Sequence, residues 1–154
     1  MNFCMGGAIL VTYHHIRRMG DQEMNIIIAG CGKVGGALAE QLSREGHDIT
    51  VIDEKSDAVQ HVANAADVIG MVGNGASYSI QKEAGIEKAD LLIAVTNADE
   101  VNLLCCLIAK KAGGCQTIAR VRNPVYHQEI RHIKEELGLS LVINPEWAAA
   151  MEMA

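Results

Sequence analysis

A short apolar run, Ile26 to Ala29, leads straight into Gly30-x-Gly32-x-x-Gly35, and small and aliphatic residues at helical spacing follow from Val34 to Leu42. Such a stretch folds in few ways: a strand, a tight glycine turn and a helix start. In this arrangement the first glycine permits the turn, the second lets backbone approach a pyrophosphate, and the third lets helix pack closely on strand. The free N–H groups and the positive dipole end of that helix would face phosphates. Glycine turns are common, so the second element matters. A strand reading Asp48-Ile-Thr-Val-Ile-Asp53 ends in an acid. That acid lies roughly twenty residues beyond the glycines, where a carboxylate accepts from a ribose 2′-hydroxyl. The same carboxylate repels a 2′-phosphate, so NADP is disfavoured, whereas NAD, ATP and ADP all present the required diol.

The rest of the chain repeats the alternation. Strands are expected over 25–29, 48–53, 67–72, 91–95, 117–121 and 141–143. Helices are expected over 34–45, 56–65, 78–84, 99–111 and 124–137, with one more after Pro145. Alternating β and α implies a parallel, doubly wound sheet with helices on both faces. Runs such as Leu91–Val95, apolar without alternation, fit strands covered on both sides. The fold class is therefore α/β, a Rossmann-like six-stranded parallel sheet of order 3-2-1-4-5-6. That order sets strands 1 and 4 side by side where ligands sit beyond the carboxyl ends. Thr96 and Asn97, at the end of strand 4, are then expected to face the same crevice as the glycine turn. Asn97 could also cap the next helix, with Glu100 completing a capping box. Asn74, in the loop Gly73-Asn-Gly-Ala-Ser77, is placed on the adenine side. Arg120, a charge inside an apolar strand, must be paired or lie at the strand's mouth. There it could reach a diphosphate, the alternative being an ion pair with an acidic helix end.

Bulk properties narrow the functions further. The 154 residues suit one domain, and a net charge of −6 argues against a nucleic-acid surface. No apolar run approaches the ~18 residues of a membrane span. Five cysteines (Cys4, Cys31, Cys105, Cys106 and Cys115) show no metal spacing and fit a reducing compartment. Cys31 is either a reactive thiol at a helix start or a small residue suited to a tight turn, and Cys105-Cys106 read as core filling. The six histidines read as solvated or structural. The helix from Asp99 is apolar nearly all round, which implies a second buried face, either a homodimer or a neighbouring helix. Residues 1–23 read as a disordered tail, or as a non-native extension ahead of a start at Met24, with 24–154 as the folded domain. A dehydrogenase would need an acid/base group near a nicotinamide, commonly supplied by a second domain, so no enzyme activity is expected.

The segments IIIAGCGKVGGALAEQL, DITVID, GNGAS, EAGIEKADLLIAVTNADEVNLL, IARVRNPVY and INPE together resemble the TrkA-N, or KTN, nucleotide-binding domains that regulate potassium transport. The resemblance covers essentially all of 24–154. It implies nucleotide contacts from Gly30, Cys31, Gly32, Lys33, Val34, Gly35, Asp53, Asn74, Thr96, Asn97 and Arg120. It implies NAD or NADH as ligand, with ATP or ADP taken by some members, and no turnover. It further implies a cytoplasmic position at the inner face of the membrane, in homodimers or larger rings beneath a TrkH-like potassium channel subunit. Family members usually continue into a C-terminal ligand domain, so this sequence reads as an excised piece or a short protein. An isolated oxidoreductase cofactor domain and the regulatory tail of another cation transporter are the alternatives.

Overall fold

The computed structural model describes residues 3–143. Six strands, β1 (Asn25–Ala29), β2 (Asp48–Asp53), β3 (Ile69–Val72), β4 (Leu91–Ala94), β5 (Gln116–Arg120) and β6 (Leu141–Ile143), form one sheet of order β3-β2-β1-β4-β5-β6. Every pairing is parallel. Six helices complete the described residues: α1 (Phe3–Arg18), α2 (Lys33–Arg44), α3 (Ser56–Ala65), α4 (Tyr78–Glu83), α5 (Asp99–Gly113) and α6 (Pro124–Leu137). The class, topology and strand order are those the alternation of apolar runs predicts. The helix expected after Pro145 lies outside the described residues.

The central strands are buried on both faces, which is why they are uniformly aliphatic: Ile28, Leu91, Leu92 and Ile93 are all fully buried. On one face Ile26, Ile28, Leu91, Ile93 and Ile118 pack with residues of α1, α2 and α3. On the other, Ile27, Leu92, Ala94 and Ala119 pack with Cys105, Cys106 and Ala109 of α5 and Ile130 of α6. Glycine ends two helices, Gly114 after α5 and Gly138 after α6, both at a left-handed φ of 69°. Asn123 caps α6, its Oδ1 accepting from the Val125 N–H at 3.0 Å, with Pro124 in the first turn.

Three features bear on the expectations drawn from the sequence. Residues 3–18 are helix, not a disordered tail. Ile9, Thr12, Ile16 and Met19 recur at spacings of three and four, and this stripe faces the protein, with Thr12 and Ile16 buried. His15, Arg17 and Arg18 in the last turn favour the negative end of the helix dipole. The helix packs on α2 and β6 and joins the core of that face. Ile16→Val is accordingly expected to destabilise the fold by about 1 kcal/mol in urea unfolding; an unchanged midpoint would mean that α1 contributes no packing. Second, of the two causes expected for the all-round apolarity of α5, the structure shows the neighbouring helix. The helix is flanked by α4 and α6 and backed by β4 and β5, and only Leu104 of its large apolar residues is markedly exposed, at 47%. Third, β3 is shorter than expected and forms an edge, with Ile69 and Val72 exposed. Among the described residues, no helix is long and apolar enough to cross a membrane.

Candidate functional site

Parallel pairing brings the carboxyl ends of β1, β2 and β4 to one side, and backbone bonds continue the alignment into the loops. The Gly30 N–H donates to Ile52 O at 2.8 Å, Val95 N–H to Ala29 O at 2.8 Å, and Gly73 N–H to Asp53 O at 2.9 Å. Beyond these ends opens a crevice of about 800 Å³, within the usual range for small-molecule sites.

The three glycines do three different things. Gly30 has φ +114°, and a Cβ there would lie 2.8 Å from the carbonyl carbon and oxygen of Val95. Gly35 sits where a Cβ would fall 1.8 Å from the carbonyl oxygen of Gly30, so only a hydrogen fits between helix and turn. Gly32 differs from both: a Cβ there would meet nothing within 4 Å, and its φ of −74° suits any residue. It is the N-cap of α2 and lines the crevice beside Lys33 and Val34. No side chain caps this helix start, and first-turn N–H groups have no partner within their own helix. The open space at Gly32 thus lies in front of unclaimed backbone donors.

Asp53 closes β2 beside this turn. Its Oδ2 accepts from the Cys31 N–H at 2.8 Å and its Oδ1 from the Lys55 N–H at 2.9 Å. Each carboxylate oxygen can accept again, so the group is fixed in place yet has capacity toward the crevice it lines. Burial, with a smaller contribution from Asp53, pushes the Cys31 thiol up to about 12. Burial of the thiol thus opposes activation at the helix start and favours the small-residue reading of Cys31.

On the opposite wall Thr96, Asn97, Arg120 and Arg122 line the crevice. Arg120 is 7% exposed. Its Nη2 donates to Thr96 O at 2.6 Å and to Asn97 Oδ1 at 3.4 Å, while its Nε is buried without a partner. The alternative of an ion pair with an acidic helix end is not what the geometry shows. Burial first, and then the positive Arg122, lower the Arg120 pKa, with Asp99 acting in the opposite sense. A partly desolvated guanidinium with an unused donor is suited to an anionic partner. Asn97 does not cap α5. The N-cap is Ala98, whose N–H is taken by the Thr96 hydroxyl, and Glu100 instead accepts from the Tyr126 hydroxyl at 2.8 Å.

Of the residues expected at the site, Gly30, Gly32, Lys33, Val34, Asp53, Asn74, Thr96, Asn97 and Arg120 line this crevice. Cys31 and Gly35 do not, and contribute from behind. Asn74 is held by its own Asx turn, Oδ1 accepting from the Ala76 N–H at 2.9 Å. Sequence reading missed Lys55 and Arg122, which also line the crevice. It also missed two fully buried amides, Asn102 and Gln81. Gln81 Nε2 donates to Gly75 O at 2.8 Å and Cys105 O at 3.0 Å, tying the loop that carries Asn74 to α5. The available signal was a polar amide at a position the helical period assigns to the core.

The chain matches the TrkA-N domain over residues 26–145. It belongs to the TrkA-N domain family. Among curated proteins it is 42% identical over 125 residues to the Trk system potassium uptake protein TrkA of Halomonas elongata, covering 80% of this chain and 27% of that protein. It is 40% identical over 131 residues to the TrkA homolog of Archaeoglobus fulgidus, covering 85% and 30% respectively. The chain thus spans less than a third of these relatives. Among solved structures, the TrkA-N domain of the Escherichia coli inner membrane protein ybaL superposes with a TM-score of 0.73 at 24% identity, over 87% of this chain and 96% of that one. The GsuK channel bound to NAD gives 0.66 at 20% identity, over 80% and 22%. The Shewanella denitrificans Kef C-terminal domain in its AMP-bound form gives 0.69 at 20%, over 84% and 76%. At these identities the structural likeness speaks for the TrkA-N fold.

Proposed function

We propose that this domain binds an adenine nucleotide in the crevice, NAD or NADH first and ATP or ADP as alternatives, and that binding regulates a Trk-type potassium uptake system without turnover of the ligand. The observation that carries the reading is the division of labour among the glycines: two are demanded by packing, and the third by nothing within the protein itself. A ligand that approaches the backbone at Gly32 supplies the missing reason. The diphosphate rests against the amides of the turn and of Lys33 and Val34, with Cys31 and Gly35 shaping the loop from behind. Asp53 takes the ribose diol, Asn74 lies on the adenine side, and Thr96, Asn97 and Arg120 form the far wall. The names of the curated relatives support potassium uptake, and the nucleotide-bound GsuK and Kef structures support the ligand class. In this reading the domain, 24–154, works at the cytoplasmic face of the membrane, in a homodimer or larger ring, against a TrkH-like channel subunit.

A thermal-shift panel of NAD, NADH, ATP, ADP, AMP and NADPH tests it, because a ligand that binds only the native state raises the melting temperature. Shifts with NAD or ADP and none with NADPH are expected; a flat panel would remove the proposal. Gly32→Ala sharpens the test. It is expected to cost no more than about 1 kcal/mol of stability, the penalty of alanine at an N-cap. In calorimetry it is expected to weaken nucleotide binding about tenfold, roughly 1.4 kcal/mol. Unchanged affinity would mean that no ligand approaches the turn there.

A further inference from the structure

Behind the far wall of the crevice lies Asn102, in the first turn of α5, with no exposed surface. We propose that Asn102 is a positioning residue for nucleotide binding: it sets the Thr96 carbonyl, which in turn aims the Arg120 guanidinium at the ligand's phosphates. The proposal rests on the nucleotide reading above.

The geometry is closed at every point. A side-chain amide has two acceptor sites and two donors. Asn102 Oδ1 accepts from the Thr96 N–H at 2.8 Å and from the Thr96 hydroxyl at 2.7 Å. Its Nδ2 donates to Thr96 O at 3.1 Å and to Arg120 O at 2.9 Å. Reversing the amide would set donors against donors and an oxygen against two carbonyls, so its partners determine its orientation. The ladder between β4 and β5 reaches the pair Ala94 and Ala119. Beyond that pair the two chains turn away toward different helices, and Asn102 supplies the cross-link that the sheet no longer provides. Thr96 O accepts twice, once from Asn102 and once from Arg120 Nη2 at 2.6 Å. The backbone and the guanidinium of Arg120 are therefore both referred to one buried amide. Neither group of Asn102 reaches the crevice, so any effect on binding must pass through Thr96 and Arg120. A buried amide with all four positions filled holds its partners in one arrangement.

The test titrates the whole chain with ADP by calorimetry and with adenosine by NMR. It compares the wild type, Asn102→Leu, Arg120→Ala and the double variant. Asn102→Leu keeps the approximate volume and removes all four bonds. It is expected to lower ADP affinity about tenfold and to leave adenosine binding within about twofold, since the Asp53 side of the crevice is untouched. The double variant is expected to bind ADP no more weakly than Arg120→Ala alone, because both changes remove one interaction. Equal losses for ADP and adenosine, or losses that multiply in the double variant, would overturn the positioning role and leave a general structural one. If circular dichroism shows that Asn102→Leu does not fold, Asn102→Ser, whose hydroxyl and vacated space admit water, is put through the same titrations and the same criteria. The wild type separates the two levels. Wild-type binding of ADP with no response to Asn102 substitution overturns this inference alone, whereas a wild type that binds neither ADP nor NAD overturns the nucleotide reading and this inference with it.

Discussion

Asp53→Ala is expected to weaken nucleotide binding by about 1–3 kcal/mol, the range for hydrogen bonds to a charged group. The structure places the effect near the upper end. The carboxylate that would take the ribose diol also anchors the Cys31 N–H of the glycine turn and the Lys55 N–H. Its removal therefore deletes a ligand contact and loosens the loop on which the phosphates would rest. Asp53→Asn keeps one oxygen acceptor without the charge, and is expected to fall between the wild type and Asp53→Ala. Calorimetric titration with NAD or ADP measures all three. Equal affinities across the series would show that the ligand does not sit against β2.

Gly35→Ala is expected to destabilise the fold by about 3 kcal/mol or more, because a Cβ 1.8 Å from the Gly30 carbonyl oxygen forces α2 away from the turn. For a domain of this size the melting temperature then falls by roughly 6–12 °C. The neighbouring glycine is the control. At Gly36 a Cβ would meet only Val62 Cγ2, at 3.4 Å. Gly36→Ala within α2 is expected to stabilise the protein by about 0.5–1 kcal/mol through lower unfolded-state entropy and better helix propensity. The propensity gain is common to both helical glycines, so the difference in sign comes from what each Cβ would meet. If Gly35→Ala melts with the wild type, the close approach of helix and turn is wrong, and the crevice geometry with it.

The two predictions draw on different kinds of information. The importance of Gly35 follows from its place in a pattern of three glycines, and that pattern is local. Strand, turn and helix start are consecutive in the chain, so their constraints appear at fixed spacings. The aliphatic character of the central strands is similarly legible, because burial on both faces leaves no position for a polar side chain. Asp53 was placed by the same logic: a strand that ends in an acid beside the turn needs only the parallel register of β1 and β2 to bring the two together.

Other elements could not be read that way. α1 carries a stripe to be buried, Ile9, Thr12 and Ile16, continued by Met19 just beyond it, but a stripe says only that a helix has a side to bury, and α2 and β6 provide the surface. The apolar surround of α5 raised the choice between a second subunit and a neighbouring helix. Within the described chain its neighbours are α4 and α6, sixteen and eleven positions away at their nearest ends. Asn97 has the composition of a cap, yet α5 begins one residue later with Ala98 as its N-cap, and the Asn97 Oδ1 accepts from Arg120 instead.

The sequence by itself determined the class of fold, the order of the sheet, the turn facing the crevice and the acid beside it. Each depends on a period or a spacing that a chain carries in one dimension. Tertiary structure alone decided that Arg120 turns toward Thr96 and keeps an unused donor, that Asn102 ties β4 to β5 from behind, and that Gln81 holds the loop of Asn74. Each involves a bond between polar groups eighteen or more positions apart in the chain. Their partners are selected by which groups are left unsatisfied once the helices have packed, and that accounting exists only in three dimensions.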